Sequence, residues 1–346
     1  MAFDAKDQTI GELLNKISFS VPRNQRRYVW DKTNWEELLE DVLFSCKADR
    51  KAHFIGSIVL KDEGKREGIS RYIIIDGQQR ITTIVLALIS IMKLFLEKNM
   101  KNEFLGTVDY IMTKNNINQQ MPILTSSYHI SLEKMINKII DIQNDDNMTI
   151  DRFVNSCILS VQRDKVIGDA VKFFYESIKK DINQFDGQVE KRLLSIRDAI
   201  IGMVLVSIIS STEEDSYTIF EILNARGQEL EQHELLKNYI MRYIDPIENR
   251  DMAKEKWEIM EKELGKYFKR FINQYVWHRY GTIDKLSTYR IIQKKSKGDN
   301  INDLLDDILL KAGYYCKFIN PVFGDDGNCS QVEYEVYSFF KSKRQE

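Results

Sequence analysis

The stretch from Arg71 to Asn99, "RYIIIDGQQRITTIVLALISIMKLFLEKN", constrains the fold more than any other part of the chain. A β-branched run ends in an Asp-Gly turn and passes at once into a long run dominated by Ile, Leu, Val, Met and Phe. Apolar positions Ile81, Ile84, Val85, Leu88, Met92 and Phe95 recur at steps of three and four, so the segment from about Gln79 to Asn99 is predicted to be a helix with one broad apolar stripe against a sheet. Its core, Ile81 to Leu96, carries Lys93 and falls short of the ~18 apolar residues of a membrane span. The N-terminal "MAFDAKDQTIGELL" has acids early and no positive-then-apolar signal pattern. A cytoplasmic protein with no membrane partner is expected.

The flanking segments supply the rest of an α/β unit. "HFIGSIVLKD" and "RYIIID" read as an antiparallel hairpin with a long loop, "EGKREGIS". "TIGELLNKI" has the spacing of a short helix with Thr9 as cap and Ile10, Leu13, Leu14 and Ile17 on one face. A second helix holds Trp35, Leu38, Leu39, Val42 and Leu43, with Thr33 or Asn34 as cap. Beyond residue 105, "SLEKMINKIIDI", "DAVKFFYESIKKDI" and "VEKRLLSIRDAII" have helical periods, with one strand-like run, "GMVLVSIIS". The expected class is mixed α+β: an α/β domain over residues 1–105, then a mainly helical domain over 106–346.

With 50 Lys and Arg against 52 Asp and Glu, the formal net charge is -2, which excludes a protein that coats nucleic acid through a global positive field. Cys46, Cys157, Cys316 and Cys329 are far apart and lack the spacing of a zinc site. No metal-ligating set is expected from the side chains.

Three polar clusters carry chemistry. In "IDGQQRITT" a strand feeds a helix through Asp76-Gly77, so backbone N–H groups and the positive end of the helix dipole face whatever sits at the turn. Gly77 permits close approach, Gln78 and Gln79 offer amides, Arg80 offers a phosphate fork, and Thr82 and Thr83 add hydroxyls. The plain alternative is Asp76 as helix cap before a solvated first turn. In "VPRNQRRYVW", Arg23, Arg26 and Arg27 surround Gln25 beside Tyr28 and Trp30, a mixture suited to phosphates and stacked bases, or else to an edge anchored by its aromatics. In "FEILNARGQEL", Asn224, Arg226 and Gly227 follow an amphipathic helix and read equally as a C-terminal cap.

Taken in order, "VPRNQRRYVWDKTNWEELLEDV", "HFIGSIVL", "IDGQQRITTIVLAL" and "IFEILNARGQELEQHELLKNYI" resemble the N-terminal domain of the GmrSD and SspE type of modification-dependent restriction proteins, over roughly residues 10 to 245. The resemblance implies a ParB/sulfiredoxin-like fold for the α/β domain. It also implies a domain that binds and hydrolyses a nucleoside triphosphate with Mg2+, senses modified or foreign DNA and controls an HNH nuclease in antiphage defence. Carried over, Asp76, Gln78, Gln79 and Arg80 are the catalytic set. Gln25, Arg26, Gly77, Thr82, Asn224, Arg226 and Gly227 bind nucleotide; Arg23, Arg27 and Tyr28 are assigned to DNA. Asn24 departs from the aromatic expected before Gln-Arg. None of His53, His129, His233 and His278 has a nuclease context, so the HNH element is expected on a separate subunit or a longer polypeptide. A homo-oligomer is also expected.

On this reading Arg80 and Arg26 hold the triphosphate, and Gln78 or Gln79 orients the attacking water. Two alternatives stand beside it. One is a non-catalytic module recognising modified DNA, in which "KYFKRFINQYVWHRYGTIDK" adds Lys266, Lys269, Arg270, His278 and Arg279; the other is a nuclease subunit with its own ParB-like active site.

Overall fold

The computed structural model describes residues 3–22, 25, 27–46, 53–126, 129–142, 148–159, 161–224, 232–244, 250–281, 291–292, 295–296, 300–321, 330, 333 and 335. The expected mixed α+β class is observed. The chain forms two compact units, Met1–Gly227 and Gln228–Glu346. The division therefore falls well beyond residue 105, because the strand-like run near residue 204 returns to the sheet begun at the N-terminus.

That sheet has six strands in the order β1-β8-β3-β4-β2-β7, where β1 is Phe3–Thr9, β2 is Ile17–Val21, β3 is Phe54–Arg66, β4 is Ile69–Asp76, β7 is Leu124–Ser126 and β8 is Val204–Ser210. It is mixed: β8 runs antiparallel to β1 and parallel to β3, while β2 runs parallel to both β4 and β7. β5 (Met112–Lys114) and β6 (Gln120–Pro122) pair separately. The helices of this unit are α1 (Ile10–Leu13), α2 (Lys32–Ser45), α3 (Gln78–Glu97), α4 (Lys101–Val108), α5 (Ile130–Asp141), α6 (Ile150–Cys157), α7 (Val161–Ile182), α8 (Val189–Ile201) and α9 (Glu213–Asn224).

Local chemistry sets several boundaries. Thr9 caps α1 in a reciprocal box with Glu12, as its sequence indicated. α2 is capped by Asp31, not Thr33 or Asn34: Asp31 accepts from the Thr33 N–H, and Asn34 reaches back to the Asp31 N–H. The β3–β4 loop is also shorter than expected. Strand pairing continues to Arg66 and resumes at Ile69, leaving a two-residue turn of Glu67 (φ 51°) and Gly68 (φ 85°). Positive φ at both turn residues matches the twist of a tight hairpin.

α3 is buried on nearly every side rather than along one stripe, with each residue from Ile81 to Phe95 in the interior. It packs against α4, α5, α7 and α8 and shares one hydrophobic core with the sheet residues Phe19, Ile58, Leu60 and Ile74. By length and composition α3 would pass for a membrane span, yet 89% of that window lies inside the unit, as expected of a core helix. Two of its buried polar residues beyond the first turns, Ser90 and Lys93, are satisfied. Ser90 donates to the Leu86 and Val171 carbonyls, and Lys93 donates to Glu97, which also accepts from Tyr175 and Lys179.

The second unit contains α10 (Gln232–Tyr243), α11 (Met252–Leu264), a 3-10 turn (Gly265–Tyr267), α12 (Phe268–Tyr280) and α13 (Ile301–Ile319). α12 buries Phe268, Phe271, Ile272, Tyr275 and Val276 and leaves Lys269, Arg270 and His278 outside. Arg279 spans to Asp307 on α13, so part of the expected basic face is committed to an ion pair.

Leu88 sits at the centre of α3 with no exposed surface. Leu88→Ala is expected to cost the first unit about 2–5 kcal/mol, as for other buried leucines. Denaturant unfolding followed by a probe in that unit checks this; a loss under 1 kcal/mol would mean that α3 is not the interior element.

Candidate functional site

The site is built at the junction where β4 becomes α3. β4 ends at Asp76, and Gly77 takes a left-handed conformation (φ 93°, ψ 5°) as the N-cap of α3. Any other residue there would be strained, and a Cβ would also meet Ile58 Cγ1 at 3.1 Å. The cap position thus belongs to Gly77 and not to Asp76, whose carboxylate instead faces Arg80 one helical turn on, Oδ2 to Nη2 at 3.5 Å.

Arg80 is held by a second glycine. Its Nη1 donates to the Ile55 carbonyl at 2.8 Å, and a Cβ on the next residue, Gly56, would stand 2.5 Å from that same nitrogen. Gly56 has φ 95° and lies where the β3–β8 register shifts, between Phe54 and Ser57. The irregular strand therefore makes both the acceptor and the space for the guanidinium. Burial pushes the Arg80 pKa down from its ordinary value, and Asp76 only partly opposes this. Arg80 and Asp76 keep 26% and 30% of their side-chain surface open, whereas Gln78, Gln79 and Thr82 are buried. The open edge of the motif is the Asp76–Arg80 edge.

The Gln79 amide is committed at both ends. Gln79 donates from Nε2 to the Arg27 carbonyl at 2.9 Å and accepts at Oε1 from the Val29 N–H at 2.8 Å, with a longer contact from Trp30 N–H at 3.4 Å. Both ends of its amide therefore act as a clamp on the upstream segment. Gln25 adds a third tie, its Nε2 donating to the Ile75 carbonyl just before Asp76 at 2.9 Å.

Tyr28 requires a correction. Only 5% of it is exposed, so its ring cannot stack on a base as its placement among arginines led us to expect. It is a hydrogen-bond hub. Trp35 Nε1–H donates to its oxygen at 2.8 Å; Thr83 donates to the Gln79 carbonyl, so the Tyr28 hydroxyl donates to Thr83 at 2.7 Å. Burial pushes the phenol up to about 12, keeping that proton in place at neutral pH.

Asp76, Gly77, Gln78, Gln79, Arg80, Thr82, Gln25, Arg27 and Tyr28 are thus brought to one end of α3. Asn224 ends α9, a helix packed on β3, β4 and β8. Its side chain, and Arg23, Asn24, Arg26, Arg226 and Gly227, lie outside the described residues. Sequence reasoning missed Gly56, although a glycine inside an apolar strand is a standing signal of close approach. It also gave no role to His129, which accepts from the Tyr28 N–H at 2.9 Å.

These features define a mixed α/β domain organised around a buried strand–turn–helix with an arginine at its open edge. A family model described as the GmrSD restriction endonuclease N-terminal domain matches residues 10–241, more than half of the chain. The chain belongs to that family, and so to the components of restriction systems. Among curated proteins no match to the chain was found.

Tyr28→Phe leaves Trp35 Nε1 and Thr83 without their buried partner, at an expected cost of about 1–3 kcal/mol. Thermal unfolding checks this; an unchanged midpoint would mean that water or a rearranged side chain takes over the hydroxyl's bonds.

Proposed function

We propose that the β4–α3 junction is a nucleoside triphosphate site and that the domain hydrolyses the nucleotide to regulate a restriction nuclease. The supporting observation is the seat of Arg80: a partly desolvated guanidinium, fixed by one neutral carbonyl and one distant carboxylate, at the open edge of a helix N-terminus. A cation in that state gains most from an incoming anion, because phosphate supplies the charge that Ile55 cannot and Asp76 supplies only weakly.

Roles follow from the geometry. Arg80 takes phosphate oxygens through the guanidinium face left by Ile55. Backbone N–H groups of the first turn of α3 add dipolar stabilisation. Gln79 is a positioning residue, since both ends of its amide are engaged; Gln78 remains the amide proposed to orient the attacking water. Thr82 and Gln25 stay as nearby polar groups, with Arg26, Asn224, Arg226 and Gly227 as the further nucleotide contacts that family resemblance implies.

No three His, Cys, Asp or Glu side chains converge among the described residues. Asp76, beside Arg80, is the protein carboxylate that would accompany an Mg2+ carried in on the triphosphate. Bound there, the ion would neutralise phosphate oxygens. Arg23 and Arg27 are the residues proposed for contact with modified or foreign DNA, and an HNH nuclease domain or subunit is the proposed partner. The alternative of a purely DNA-binding module rests on phosphate-backbone contacts from the arginine-rich segment, with Tyr28 buried and so not available for stacking.

Thermal unfolding with ATP, GTP, CTP and UTP, each with Mg2+, tests the reading. Nucleotide at 100 times its dissociation constant is expected to stabilise wild type by about 2.7 kcal/mol. Arg80→Ala is expected to abolish the shift and the hydrolysis. Gly56→Ala, which displaces Arg80, is expected to weaken both and to cost about 1–3 kcal/mol in backbone strain. No shift in wild type with any of the four nucleotides would overturn the site.

A further inference from the structure

His129 precedes α5, over a hundred positions from the arginine-rich segment, and is buried with no route to solvent chemistry. The backbone N–H of Tyr28 donates to its Nε2 at 2.9 Å. A backbone amide can only donate, so Nε2 carries a lone pair and the ring proton is on Nδ1. Nδ1 lies 3.1 Å from Asp164 Oδ1 on α7, which accepts that proton. The other carboxylate oxygen of Asp164 accepts from Ser131 Oγ–H, and Ser131 Oγ in turn accepts from the Leu159 N–H at 2.9 Å. Asp164 and Ser131 are both buried, so this chain fixes the imidazole in one tautomer and one orientation.

The two side chains that grip residues 27–30 come from different places. Gln79 takes Arg27 O and the Val29 and Trp30 N–H groups from the first turn of α3; His129 takes the Tyr28 N–H from beyond β7. Neither leaves a backbone donor of Tyr28, Val29 or Trp30 unpaired.

We propose that His129, locked by Asp164 and Ser131, is a positioning residue of the β4–α3 site: it fixes the Arg27–Trp30 backbone onto α3 and so sets the upstream motif against the DGQQR turn. Its part in ligand binding rests on the nucleotide reading above; its part as a tether does not. The imidazole does no chemistry itself, since its two nitrogens are occupied by an amide and a carboxylate.

Hydrogen exchange of the Arg27–Trp30 amides, without nucleotide, tests the tether directly. His129→Leu removes the acceptor, and exchange at Tyr28 is expected to accelerate roughly ten- to a hundredfold while the centre of α3 stays protected. His129→Gln restores an acceptor oxygen and is expected to recover most of that protection, which a purely space-filling role would not predict. Should the leucine variant fail to fold, His129→Asn, too short to reach Tyr28, replaces it. The ligand consequence is read in the same proteins by thermal shift with Mg-nucleotide: at least a tenfold weaker apparent affinity for the leucine variant and near wild type for glutamine. Unchanged exchange at Tyr28 would overturn the tether, and accelerated exchange with undiminished nucleotide affinity would overturn its role in the site. Accelerated exchange with no nucleotide shift even in wild type would overturn the nucleotide reading and uphold the tether.

Discussion

A long helix with no polar face has only one stable location, and the burial of α3 dictates most of what surrounds it. Each side of α3 needs an apolar neighbour, which α4, α5, α7, α8 and the sheet residues of the same core provide. The polar groups at its N-terminal end cannot turn to solvent either, because Gln78, Gln79, Thr82 and Thr83 are inside. Buried polar groups are stable only when paired, so the first turn recruits partners from distant segments. The Arg27–Trp30 backbone is one such partner, and the Ile55 carbonyl is another.

The consequence is a site whose rigidity comes from packing. Gln79 and Thr83 reach the upstream segment from successive turns of one immobile helix, and Gln25 closes the circuit onto Ile75. Arg80 is different. It is tied by a neutral carbonyl and by a long 3.5 Å contact to Asp76, so it combines fixed position with open surface and a weakly paired charge. Rigid framework and electrostatic deficit are separable properties, and the motif assigns them to adjacent residues.

Much of this was legible in the sequence, and the reasons are local ones. Asp-Gly between an apolar strand and an apolar helix announces the turn, and Gly77 is left-handed as that chemistry requires. Thr9 with Glu12 three residues on announces a cap. The expected one-sided stripe on α3 failed because periodicity identifies the most buried face but says nothing about how many other elements cover the rest. The domain boundary failed for a topological reason: β8 inserts between β1 and β3, and nothing local to "GMVLVSIIS" names its neighbours. The tie between Tyr28 and His129 joins residues 101 positions apart and was invisible for the same reason.

The assignment of Tyr28 shows how such a misreading arises and what it implies about signalling. An aromatic among arginines looks like a binding platform, yet here its hydroxyl and backbone are spent on Thr83, Trp35 and His129. Tyr28 thus links α2 and α3 through its hydroxyl and the residue preceding α5 through its backbone N–H. A phosphate drawn to Arg80 would compete with Asp76 and Ile55 for the guanidinium, and α3 itself has no room to respond. The elements hydrogen-bonded to the first turns of α3 are β3 beside Gly56 and the clamped upstream segment. On the proposed function, gain and loss of phosphate contacts at Arg80 would reach the Arg27–Trp30 backbone through the same first turn of α3.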